Sequence, residues 1–185
     1  MSKVLIPLAQ GCEEIEAVTM IDLLRRGQIS VTTAGLETQL SPVKAARGTQ
    51  LLPDTTLDEA LQDDYDMIAL PGGLPGADNL NDDERIIQLV QKMAAADKYI
   101  CAICAAPRVL ARAGVLEGKR ATSYPGTLDT MDIAGMTYTG AAVTVDGRII
   151  TGRGPGPAMD FALALIEALG GTALKHSVEQ PLLRD

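Results

Sequence analysis

Cys104 stands where a short apolar run, Lys98-Tyr99-Ile100-Cys101-Ala102-Ile103, gives way to a small-residue helix start, Ala105-Ala106-Pro107-Arg108. Such a change of pattern marks a strand-to-helix turn, which presents one side chain at the carboxyl edge of a sheet. A thiol held there faces free backbone N–H groups and the positive end of a helix dipole, and both favour thiolate over thiol. The chemistry expected is attack by sulfur on an electrophilic carbon, weighed against an inert cysteine packed as a small hydrophobe.

Other residues with chemical potential fall in similar turns. Pro71-Gly72-Gly73 follows an apolar run and offers backbone N–H groups with no side chains in the way. With the N–H of Ala105 these could cradle a developing oxyanion, or they simply form a tight turn. Glu13, Glu14 and Glu16 open a helix, where the dipole favours carboxylates. Any one of them buried against the sulfur would have a raised pKa and could pass protons. Cys12 lies in that same turn and is the cysteine that topology brings nearest. Cys101 makes a C-x-x-C with Cys104, but an offset of three along a strand directs the two side chains to opposite faces, so a dithiol pair is not expected.

The chain has one histidine and three cysteines in 185 residues. His176 follows the last helix and reads as a surface residue, so the base for Cys104 falls to a carboxylate rather than to an imidazole. One C-x-x-C with no second ligand pair gives no metal site, and no cofactor is expected. An odd, small number of cysteines is no disulfide framework and fits a reducing compartment. The formal charge of −8 opposes stable nucleic-acid binding or attachment to anionic lipid. No apolar stretch approaches a membrane span, and Met1-Ser2-Lys3-Val4-Leu5-Ile6 runs straight into a strand, so a cytoplasmic location is expected.

The elements that must position these residues alternate along the chain. Lys3 to Ala9, Ile29 to Ala34, Asp66 to Leu70 and Tyr99 to Ile103 read as short apolar strands. Ala17, Met20, Ile21 and Leu24 line one face of a helix that Gly27 ends, and Ile86, Leu89, Val90 and Met93 line another. Thr137-Tyr138, Ala142 to Val145 and Arg148 to Thr151 read as later strands, the last two joined at Asp146-Gly147. Pro157 opens a final helix carrying Met159, Ala162, Leu163, Ile166 and Leu169, with a stop at Gly170-Gly171. Glu37 to Leu52 reads as a small β excursion. The pattern gives a single α/β domain around a mostly parallel sheet, with the post-strand turns gathered at its carboxyl edge.

Taken together, Gly11-Cys12-Glu13-Glu14-Ile15-Glu16-Ala17, Asp22-Leu23-Leu24-Arg25-Arg26-Gly27, Tyr65-Asp66 with Leu70-Pro71-Gly72-Gly73, Ala102-Ile103-Cys104-Ala105-Ala106-Pro107 and Arg153-Gly154-Pro155-Gly156 resemble the ThiJ/PfpI superfamily. Within it the resemblance is to the DJ-one/YajL-like branch, along essentially residues 1–185. It implies a flavodoxin-like three-layer sandwich, a homodimer, and Cys104 as an elbow cysteine in a strained backbone. Glu16 would be its carboxyl partner, with Gly72, Gly73 and Ala105 as oxyanion donors. An arginine matching Arg47 would reach the site from the dimer partner, and Asp22 and Arg26 would lie at the interface. Tyr124 stands where some relatives carry histidine and would wall the pocket with Cys12. Ala105 replaces the histidine of protease-like members, which argues against peptidase activity.

The function this resemblance implies is a cofactor-independent enzyme of glyoxalase or deglycase type, acting on a small aldehyde such as methylglyoxal or on a glycated adduct. A redox sensor or chaperone with an oxidisable Cys104 is the alternative, and a nonenzymatic scaffold ranks last.

Overall fold

The central strands form because runs of four to six mostly apolar residues suit a sheet covered on both faces. In the computed structural model, which describes residues 1–184, β1 (Lys3–Leu8) leads into α1 (Glu14–Arg26) and β2 (Ser30–Gly35). A hairpin of β3 (Val43–Lys44) and β4 (Gln50–Leu51), then β5 (Thr55–Thr56) and the single turn α2 (Leu57–Ala60), precede β6 (Met67–Leu70). Next come α3 (Gly76–Asp82), α4 (Glu84–Ala95), β7 (Tyr99–Ile103) and α5 (Pro107–Arg112). The remaining elements are β8 (Arg120–Ala121), β9 (Thr137–Tyr138), β10 (Val143–Asp146), β11 (Ile149–Gly152) and α6 (Ala158–Glu179).

Seven strands make one sheet in the order β10-β11-β7-β6-β1-β2-β5. Only β10 runs antiparallel to its neighbour, across the Asp146-Gly147 turn. The period of two sorts each strand between two apolar layers. Val4, Ile6, Leu8, Met67, Ala69, Cys101 and Ile103 face α1 and α6, with Phe161 and Ile166 opposite them. Leu5, Ile68, Leu70, Ile100 and Ala102 face α4 and α5, against Ile86, Val90, Val109 and Leu110. This is the expected three-layer α/β sandwich with a mostly parallel sheet. The 37–52 excursion is a β-hairpin, Val43 pairing with Leu51.

Three details depart from the sequence reading. The helix expected directly after Cys104 begins only at Pro107, so Cys104-Ala105-Ala106 is a turn. Cys101 and Cys104 share one apolar layer, because the left-handed backbone at Cys104 breaks the strand alternation. The final helix does break at Gly171 (φ 79°, ψ 174°), but the chain then resumes as a second helical segment. That segment packs Leu174 and Val178 against the α1 layer. Only glycine adopts such a conformation without strain, which fixes where the break falls.

Candidate active site

Strand β7 delivers Cys104 to the carboxyl edge, where its φ of 64° is in the left-handed region that ordinary residues avoid. The backbone is held there from both sides. The Cys104 N–H donates to the Gly152 carbonyl at 2.9 Å, and the Tyr124 N–H donates to the Cys104 carbonyl at 2.8 Å. A strained residue pinned by two neighbouring segments keeps its side chain in one direction.

Of the three glutamates that open α1, the fold sends Glu16 inward. It has no exposed surface, and its Oε2 accepts the Gly72 N–H at 2.8 Å. Its Oε1 is buried with no aligned partner, which leaves it free to carry a proton. The Cys104 thiol lies against this carboxyl, close enough to couple their titrations without the alignment of a full hydrogen bond. Gly72 makes this approach possible. A Cβ on residue 72 would lie 2.6 Å from the Cys104 Cβ and 2.8 Å from Glu16 Oε2.

The electrostatics differ from the sequence expectation. Burial pushes the Glu16 carboxyl up to about 7, opposed by the Gly72 N–H. Burial, and then the Glu16 charge, push the Cys104 thiol up to about 12, while the N–H groups of Gly73 and Ala105 pull the other way. A helix start therefore does not by itself depress this thiol. Burial is the larger effect, and α5 begins three residues further on. Protonating Glu16 removes its repulsion on the sulfur, so the thiol and the carboxyl titrate as a pair rather than independently.

The expected oxyanion donors divide into two roles. The Gly73 and Ala105 N–H groups face the sulfur, whereas the Gly72 N–H is committed to Glu16 and holds that side chain in place. Above the sulfur opens a cavity of about 430 Å³, lined by Glu13, Arg47, Gly73, Cys104, Ala105 and Tyr124 among others. Tyr124, 53% exposed, forms part of its wall.

Arg47 lines this cavity from its own chain. Its N–H donates to the Glu14 carboxylate at 3.0 Å, and the Ala46 N–H donates to the Cys12 carbonyl at 2.8 Å, which ties the 45–48 loop over the start of α1. Cys12 is not a wall residue. It is wholly buried in the α1 layer, where burial raises its thiol to about 12. His176 is exposed and does not line the cavity. Arg108, missed in the sequence, does line it, bound to Asp78 with its Nε buried and unpartnered. Its position four residues after Cys104, on the next helix, was the available signal.

A larger cavity of about 580 Å³ opens at the amino edge of the sheet beside Tyr99 and Arg148, but no cysteine lines it. Among the described residues no cluster of three or more His, Cys, Asp or Glu is arranged to hold a metal ion.

The profile of the DJ-1/PfpI family matches residues 2–168. Protein DJ-1 homolog A of Arabidopsis thaliana is 41% identical over 181 residues, covering 97% of this chain and 46% of that protein. The chain thus spans less than half the length of that relative. A Caenorhabditis elegans relative named glutathione-independent glyoxalase DJR-1.2 is 36% identical, covering 97% of this chain and 94% of its own. The crystal structure of Drosophila melanogaster DJ-1beta superposes with a TM-score of 0.94 at 40% identity, each chain covered completely.

Proposed function

The chain belongs to the DJ-1/PfpI family, and from that premise we propose that it is a cofactor-independent enzyme converting reactive dicarbonyls, or their early adducts, to hydroxy acids through Cys104 and Glu16. The observation that carries this reading is the strained Cys104, its sulfur set between two backbone N–H groups and a buried carboxyl with a pKa near neutrality. The glyoxalase name of a relative that matches nearly end to end supports the substrate class.

Glu16 takes the thiol proton, the sulfur adds to the aldehyde carbon, and Glu16 returns that proton to the oxyanion held by the Gly73 and Ala105 N–H groups, which gives a hemithioacetal and leaves Glu16 ionised. Glu16 then removes the proton from that carbon and returns it to the neighbouring one through an enediol, producing a thioester. Water hydrolyses the thioester, releasing the 2-hydroxy acid and restoring the thiol. Redox balance is internal: the aldehyde carbon is oxidised and its neighbour reduced. Lactate release from methylglyoxal tests this. The protein should exceed its Cys104→Ser variant by at least about 100-fold, and equal, slow release from both would sink the reading.

The protein acts in this reading as a cytoplasmic homodimer. An exposed stripe on α1, Ile15 and Val18 followed by the Asp22–Arg26 ion pair, supports a second copy as partner. No helix among the described residues is long and apolar enough to cross a membrane.

A further inference from the structure

We propose that Glu13 sets the charge selectivity of the Cys104 cavity, its carboxylate at the cavity wall admitting neutral or cationic electrophiles that carry a hydrogen-bond donor and turning away anionic ones. Glu13 is only 9% exposed and lines the cavity beside Cys104. It stands at the N-cap of α1, yet gives that helix no side-chain hydrogen bond. Among the described residues its carboxylate has neither an ion-pair nor a hydrogen-bond partner. A carboxylate is acceptor-only, so one that lines a cavity without a protein donor favours a ligand that brings a hydroxyl, amine or ammonium.

The competing charges in the cavity are weaker. The Arg47 guanidinium is exposed, where solvent screens it, and among the described residues its only bond is a 3.5 Å contact to the Ala46 carbonyl. Arg108 is neutralised by Asp78. Glu16 is engaged with Gly72 and the thiol. Beyond the Glu16 carboxyl at the sulfur itself, Glu13 is the carboxylate that an incoming molecule meets on the cavity wall, and its charge is one of the causes holding Glu16 above its ordinary value.

The proposal rests on Cys104 being the nucleophile but not on aldehyde turnover, and its test separates the two. Rate constants for alkylation of Cys104 by neutral iodoacetamide and anionic iodoacetate are measured on the full chain, with peptide mapping to read Cys104 alone, and each is divided by the rate for N-acetylcysteine. The normalised iodoacetate-to-iodoacetamide ratio should be depressed at least about tenfold in the wild type and return to within about twofold of the free thiol in Glu13→Gln. Arg47→Gln should move it less than about twofold. Taking a ratio cancels any change in the thiol's own reactivity.

Raising the salt concentration on the wild type gives a check that needs no variant, since discrimination by a charge recessed in the cavity persists where that of the exposed Arg47 fades. Glycolaldehyde, which bears a hydroxyl, should protect Cys104 from iodoacetamide, and glyoxylate, which bears a carboxylate, should not. An unchanged ratio in Glu13→Gln, a wild-type preference for iodoacetate, or better protection by glyoxylate would overturn the proposal. Failure to release lactate with the ratio intact would count against the enzyme reading alone.

Discussion

Glu16 is where the chemistry and the stability of this protein meet. The folded chain holds its carboxyl proton up to about pH 7, against an ordinary value of 4.5. Between those values the folded state binds more protons than the unfolded one, so the Glu16 contribution to stability falls as pH rises through that window. The size of that loss is on the order of 3 kcal/mol. Glu16→Gln, which keeps an oxygen for the Gly72 N–H, should flatten the loss, as read from urea denaturation at roughly pH 5 and pH 8. The same substitution removes the charge that helps push the Cys104 thiol up, so the pH midpoint for iodoacetamide alkylation should move down. Turnover should nevertheless fall by about 100-fold or more, since the proton carrier is gone. A variant that lost neither the pH slope nor the activity would show that Glu16 is only a structural carboxyl.

At the scale of elements, two glycines do different work. Residue 72 has an ordinary φ, but any side chain there meets the Cys104 Cβ, Glu16 Oε2 and the Ile103 carbonyl within 2.8 Å. Gly72→Ala should therefore cost about 1–3 kcal/mol through overpacking and slow Cys104 alkylation at least about tenfold, because α1 and β7 can no longer meet at the site. Gly171 has open space around its Cα but a φ of 79°. Gly171→Ala should cost about 1–3 kcal/mol of backbone strain and leave Cys104 reactivity unchanged, since the break lies in the terminal helix, away from the site. Thermal melts paired with alkylation rates distinguish the two cases. Equal effects on reactivity would show that the terminal helix supports the site more directly than its packing indicates.

For the molecule as a whole, α1 has both an inner and an outer role. Its inner face carries Ala17, Met20 and Leu24 into the core and places Glu16 at the sulfur. Its outer face leaves Ile15 and Val18 55% and 45% exposed, in register with Asp22 and Arg26. Replacing both Ile15 and Val18 with Lys should shift sedimentation from dimer to monomer at micromolar concentration while far-UV circular dichroism stays unchanged, and a wild type that sediments as a monomer would remove the dimer from the proposal. The alternation of apolar runs and helical stripes was enough to give the α/β layering, and the change of pattern at Ile103-Cys104-Ala105 marked Cys104 as the turn residue at the carboxyl edge, because strand period, helix period and turn chemistry are local properties of a chain. Local pattern left open which of Glu13, Glu14 and Glu16 meets the sulfur, a choice the family resemblance named, and three matters were decided only by the tertiary structure: the use of the Gly72 N–H to hold Glu16, the place of Arg47 in the cavity of its own chain, and the upward shift of the thiol. Each depends on distances between residues remote in sequence, such as Glu16 and Gly72, 56 positions apart, and on burial, which no single segment can supply.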